Sequence, residues 1–233
     1  MIPELLLVTG NSFFLFFSNS FFLGCVIISG IVIVDYGSGN IRSIFNAFRR
    51  IGVDVVVSSD KDVLSDADAL VIPGVGAYGV AMDNISGFVD VIRSHVDEGK
   101  PLLGICLGLQ LLFDSSEETP GVDGLGIFGG TVKRFVLDSS FKIPQMGWNR
   151  ISVVDSSVNN VSILDGVDGE FMYFVHSYYI SPDDVGVVTA FCDYGFDVPV
   201  AVGVGNTFAL QFHPEKSGRA GLRILRNFVD ILD

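Results

Sequence analysis

Cysteine, histidine and tryptophan are scarce in this chain: three, three and one among 233 residues. An odd, small number of cysteines in a chain of this length argues against a disulfide-stapled fold and points to a reducing, cytoplasmic compartment. Basic residues are few as well. Fourteen Lys and Arg stand against 27 Asp and Glu, for a formal net charge of -13. Such a chain repels phosphate backbones and anionic bilayers, so neither a nucleic-acid binder nor a membrane-surface protein is expected. Charged residues make up 18% and hydrophobic residues 49%. That supplies a sizeable core and argues against disorder. The length suits one large domain or two small ones.

Charge is missing altogether between Glu4 and Asp35. The length of that stretch suits a transmembrane helix or a signal-peptide core. Three features speak against both. No Lys or Arg precedes the apolar run, and Gly10-Asn11-Ser12 and Ser18-Asn19-Ser20 cut it into short pieces. The next basic residue is Arg42, too distant to set an orientation. Residues 1–30 are read as an extra hydrophobic segment, a mis-assigned start or an anchor, ahead of one domain over 31–233.

From Ile31 the pattern changes. IVIVDYG is a continuous β-branched run of the kind buried on both faces of a sheet. Ile41, Ile44, Phe45, Phe48 and Ile51 then recur at helical spacing, and Gly52 ends that helix. VDVVV, ADALVIPG and PLLGI read as further strands. AYGVAMDNISGFVDVIRSHVDEG reads as one long helix and CLGLQLLF as a short one. Strands alternating with helices imply βαβ units and a parallel sheet. Beyond Phe113 the texture is Gly-rich with short β pieces, FMYFV, VVTAFCD, VPVAVGV and FALQF among them, before a last helix. The expected fold is α/β, with a mostly parallel sheet flanked by helices and an antiparallel elaboration in the second half.

The clearest chemical signal is Gly104-Ile-Cys106-Leu-Gly108, at a strand-to-helix junction. Glycines on both sides let the backbone turn sharply and leave the thiol accessible, and the helix start aims amides at the sulfur. A nucleophilic Cys needs a base. His95 is expected on the surface at a helix C-terminus, and His176 at a strand end or lining a pocket. His213 lies in Gln-Phe-His213-Pro-Glu215, where an extended segment would put i and i+2 on one side. Glu215 would then orient the imidazole, making Cys106, His213 and Glu215 the best available triad. Cys25 and Cys192 lack the paired glycines and are read as structural. Pro73-Gly74-Val75-Gly76 follows a buried strand and permits unusual backbone conformations near a ligand. GSGN at 37–40 falls short of a nucleotide fingerprint.

Together GICLGLQLLF, FHPEKSG and PGVGAYG resemble the class I, or triad, glutamine amidotransferases, whose fold is flavodoxin-like. VDYGSGNIRSI, PQMGWNR, YFVHSYY and FHPEKSGRAGLRILRNF are similar to the glutaminase subunits of imidazole glycerol phosphate synthase within that family. The resemblance covers residue 31 to the end. It implies that Cys106 attacks the glutamine side-chain amide, with His213 as base and then acid, and Glu215 orienting it. It implies an oxyanion hole at the Gly74 turn, built from the amides of Val75 and Leu107. It places Gln110, Ser177 and Tyr178 in a glutamine pocket, and Asn40, Trp148, Tyr173 and Lys216 against a (β/α)8 cyclase partner that receives ammonia. No metal or cofactor is implied. Gln145 stands where the family more often has His, with an expected effect on interface packing only. The peptide at Gly74 is expected to rotate, and the free chain to hold that amide turned away until the partner docks. An amidotransferase or Cys hydrolase with another acceptor, and a tethered or regulatory subunit that has kept the fold, are the competing readings.

Overall fold

A computed structural model describes residues 30–154 and 163–232. The expectations placed on residues 1–29, Cys25 among them, lie outside the described residues. The first half alternates as its pattern requires: β1 (Ile31–Val34), α1 (Ile41–Arg50), β2 (Val55–Ser58), α2 (Lys61–Ser65), β3 (Ala69–Ile72), α3 (Tyr78–Ile85), α4 (Val89–Asp97), β4 (Leu102–Ile105) and α5 (Leu107–Leu111). The second half is mostly β: β5 (Phe113–Ser116), β6 (Phe128–Arg134), β7 (Gln145–Val153), β8 (Phe171–His176), β9 (Tyr178–Pro182), β10 (Val188–Asp193), β11 (Asp197–Val204) and β12 (Thr207–Leu210), closed by α6 (Gly218–Val229).

Nine strands form the main sheet in the order β2-β1-β3-β4-β12-β11-β10-β7-β8. The run from β2 to β12 is parallel, and the pairings from β12 to β8 are antiparallel. A second sheet, β5-β6-β9, holds three strands. The central strands β1, β3, β4 and β12 are buried along their whole length. Alternate side chains therefore feed two cores. Ile31 and Ile33 pack under α1 and α6, and Val32 and Val34 among residues from α2 to α5.

Three departures from the sequence pattern have physical causes. The helix expected over 77–99 is broken by a 3-10 turn at Ser86–Phe88, where Gly87 weakens the helix and α3 and α4 each bury their own face. Helix α2 is too short to show a period, and is started by Asp60, whose Oδ1 accepts the Asp62 amide at 2.9 Å. His95 is buried, 2% exposed, instead of lying on the surface. One ring nitrogen is 3.0 Å from Pro101 O, which ties α4 to the start of β4, and burial holds its pKa below the ordinary value.

Candidate active site

The segments that follow the C-terminal ends of the central strands β3, β4 and β12 come together, at the end of the sheet where open α/β folds bind ligands. Cys106 leaves β4 with φ 57° and ψ -109°, a conformation rare for any residue but glycine. Its amide still donates to Leu210 O at 2.7 Å, so the turn comes immediately after the ladder ends. The flanking glycines are both required. A Cβ at Gly104 would approach Gly108 O to 3.0 Å, and one at Gly108 would fall on the Ile72 carbonyl of the neighbouring strand.

β12 brings His213 to the thiol. His213 Nδ1 lies 2.8 Å from Glu215 Oε1, and both side chains are 0% exposed. The link is not the extended i, i+2 alternation. Pro214–Lys216 forms a 3-10 turn, with the Lys216 amide on His213 O, that folds Glu215 back onto the ring. Asn40, at the N-terminus of α1, donates from Nδ2 to the same carboxylate oxygen at 2.7 Å. Asn40 therefore supports the triad directly. The other ring nitrogen, Nε2, is buried without a close partner, and Cys106 is near enough to act on the ring by hydrogen bonding and charge. Such looseness is common before substrate arrives. Burial works to lower the His213 pKa, but the hydrogen bonds and charges of Cys106 and Glu215 raise it to about 9. Burial likewise works to raise the Glu215 carboxyl, but the His213 and Asn40 donors hold it below its usual range.

The thiol opens into a cavity of about 300 Å³. Gln110, Ser177 and Tyr178 line it, together with Val75 and Leu107. His176 lines it too. Burial lowers its pKa to about 4, and its Nδ1 lies 2.7 Å from Tyr178 O, so it stays neutral and serves as a strand-end anchor. Glu118 was not singled out from the sequence. It is the only carboxylate among the described residues that line the cavity, and its Oε2 accepts the Tyr78 amide at the start of α3 at 3.1 Å. Gln211, also missed, is fully buried beside Cys106. Its signal was available: a lone amide in the apolar strand FALQF.

The two expected oxyanion donors point elsewhere. The Leu107 amide donates to Gly74 O at 3.3 Å, and the Val75 amide donates to Ser38 Oγ at 3.3 Å. One peptide, between residues 74 and 75, thus presents its carbonyl where an oxyanion would sit. Tyr36 Oη donates to Pro73 O at 2.5 Å and braces the preceding peptide.

Beside the triad lies an exposed aromatic surface. Trp148, 53% exposed on β7, stacks edge-on against Tyr173 at 5.9 Å between centroids, and Lys216 Nζ sits 5.7 Å from the Tyr173 ring centre. Trp148 is not a core residue. Gln145 is the opposite case. It is 0% exposed, with Nε2 donating to Asn149 Oδ1 at 3.1 Å and toward Cys192 Sγ at 3.6 Å. Its effect is on internal packing, not on the surface. Burial pushes the Cys192 thiol up to about 11, consistent with a structural cysteine.

The profile of the family Glutamine amidotransferase class-I matches residues 32–232. The chain is 51% identical over 202 residues to the imidazole glycerol phosphate synthase subunit HisH of Methanothermobacter thermautotrophicus, covering 87% of this chain and 98% of that protein. It is 49% identical to the subunit of the same name from Halobacterium salinarum, over 87% of this chain and 93% of that one. Among solved structures, one described as a glutamine amidotransferase superposes with a TM-score of 0.68 at 24% identity, covering 87% of this chain and 98% of the other.

Proposed function

The chain belongs to the class-I glutamine amidotransferase family, and within it we propose that it is the glutaminase subunit of imidazole glycerol phosphate synthase, in histidine biosynthesis. It hydrolyses glutamine to glutamate and ammonia, and the ammonia goes to a partner cyclase subunit. The lyase chemistry, which yields imidazole glycerol phosphate and aminoimidazole carboxamide ribotide, belongs to the complex. The partner is a (β/α)8 barrel in a cytoplasmic heterodimer, docked over Trp148, Tyr173 and Lys216, while the inward-facing Asn40 serves His213 and Glu215 instead. The exposed Trp148–Tyr173–Lys216 cluster beside the triad supports that placement.

The observation that carries the assignment is the buried His213–Glu215 pair, supported by Asn40 and aimed at a thiol on a glycine-flanked elbow. The chemistry follows in two halves. The Cys106 thiolate adds to the glutamine amide carbon, and the oxygen takes the negative charge. Collapse of that intermediate breaks the C–N bond, and the His213 imidazolium gives its proton to the departing ammonia. The neutral imidazole then takes a proton from water, which adds to the thioester; glutamate leaves and the thiolate returns. Glu215, held below its usual pKa, stays anionic and stabilises the imidazolium throughout. Gln110, Ser177 and Tyr178 frame the substrate, and Glu118 suits its α-ammonium group.

The same reading accounts for the turned peptide at Gly74. With Gly74 O on the Leu107 amide, a developing oxyanion has no pair of donors, so the chain alone is slow. Docking of the cyclase favours the rotated state, which Gly74 permits. The test is steady-state ammonia release from glutamine by the chain alone, with the cyclase, and with the cyclase and its nucleotide substrate. Rates should rise in that order. Equal rates in all three would argue for a free-standing glutaminase, and no release in any would refute the assignment.

A further inference from the structure

Gln211 is fully buried just past β12 and two residues before His213, and the two-step chemistry above does not use it. Hydrogen bonds fix its amide in one orientation. The Tyr178 main-chain carbonyl can only accept, so the Gln110 group 3.3 Å from it is the NH2. That NH2 also donates to Gln211 Oε1 at 3.1 Å. The Gln211 NH2 is therefore left facing Cys106 Sγ at 3.9 Å, a long N–H···S contact. A flipped Gln211 would set two NH2 groups against each other and a carbonyl oxygen against the sulfur.

We propose that Gln211 is a positioning residue for the nucleophile: a non-titrating N–H donor that holds the Cys106 thiolate and receives it again when the thioester breaks. This rests on Cys106 being the nucleophile. His213 is protonated when the thiolate attacks and again when it is released, so Gln211 acts beside it, as a second donor whose own proton is never transferred. When the second tetrahedral intermediate collapses, the C–S bond breaks and its electron pair moves to sulfur. Gln211 meets that charge whatever the protonation of the ring. The titratable groups around the thiol are His213 with Glu215 beyond β12, Tyr36 after β1, His176 at the end of β8 and Glu118 across the cavity. The Gln211 amide is not among them: it carries no charge and keeps its N–H at any working pH.

Gln211→Met keeps the volume and removes the donor, and Gln110→Met frees the Gln211 amide to turn. Both are examined in complex with the cyclase, by ammonia release and by iodoacetamide alkylation of Cys106 across pH, with Cys106→Ala as the blank. For Gln211→Met, the pH of half-maximal alkylation should rise by about one unit and kcat should fall about tenfold, the worth of one hydrogen bond to a charged acceptor. KM should stay within about twofold, because the contact is to sulfur and not to substrate. Gln110→Met should move both quantities the same way, but less. An unmoved alkylation profile beside a normal wild-type rate overturns this inference alone, as does a rise in KM with kcat unchanged. A wild-type complex that releases no ammonia overturns the glutaminase assignment, and the role of Gln211 falls with it.

Discussion

The Val75 amide donates to the Ser38 hydroxyl at 3.3 Å, while the carbonyl of the same peptide accepts the Leu107 amide at 3.3 Å. In the mechanism proposed above, Ser38 therefore holds the N–H that would serve the oxyanion, and the paired carbonyl faces the Leu107 amide instead. Ser38→Ala should raise ammonia release by the isolated chain about fivefold, since a net hydrogen bond contributes about 1 kcal/mol. The rate of the complete complex should not change, because there the bond is already broken. A basal rate equal to wild type would show that the contact does not restrain the peptide.

Cys106→Ala should abolish glutamine hydrolysis and leave the cyclase reaction intact when ammonia is supplied at high concentration. It should also change the titration of the partner residue. The hydrogen bond and charge of Cys106 contribute to raising the His213 pKa to about 9. NMR titration of the His213 ring should show a lower value in the variant, and an unchanged value would mean that the two side chains do not interact.

The raised His213 pKa also fixes a pH dependence of stability. A folded value of about 9 against an ordinary 6.5 means the folded state binds the proton more tightly. That contribution is complete below the unfolded value and is lost as pH rises through the folded one. Unfolding midpoints should therefore fall between pH 6.5 and about 9. Glu215, shifted down, acts in the other direction: its contribution is present above its ordinary value and disappears in acid. Thermal melts of wild type and Glu215→Gln should converge at low pH, and a constant gap across pH would contradict the coupling.

Glu118→Gln removes the single carboxylate among the described residues lining the cavity but keeps its shape. KM for glutamine should rise about tenfold or more, as expected for losing a charge-assisted hydrogen bond, with a smaller effect on kcat. A fall in kcat at unchanged KM would place Glu118 in the chemical step instead.

Trp148→Ala should weaken binding of the cyclase by about 2 kcal/mol or more, the usual cost of truncating a central aromatic anchor. Titration calorimetry reads this directly. The isolated chain should melt as wild type does, because the indole is half exposed and packs edge-on against Tyr173 alone among the described aromatic rings. Unchanged affinity would move the docking surface elsewhere.

What could be read from the sequence follows from what local patterns encode. The buried parallel strands, Cys106 between its glycines and the His213–Glu215 pairing were legible because each depends on residues close in the chain. The 3-10 turn that delivers Glu215 was hidden, because extended and turned backbones both allow an i, i+2 pair. The inward bonds of Asn40 and Gln145 were hidden as well. They depend on partners 175 and 47 residues away, and nothing local distinguishes an amide facing a partner protein from one facing the interior. His95 appeared to be a surface residue because a helix C-terminus favours a cation, yet the Pro101 carbonyl six residues on draws it inside.

Gly108 rests directly on the carbonyl of Ile72, and Gly74 leaves no space for a Cβ against Leu107 and Gly108. The seam between the nucleophile's helix and the oxyanion strand is thus main chain against main chain. Among the described residues, only Tyr36 Oη, the Leu107 Cβ and the Ile72 side chain reach this seam, so its spacing is set mostly by backbone atoms. Variation is confined to what surrounds the seam, such as the Ser38 loop, the cavity wall and the aromatic surface. A larger residue at either glycine would therefore push the elbow of Cys106 away from the Gly74 turn, whatever else the surrounding side chains did.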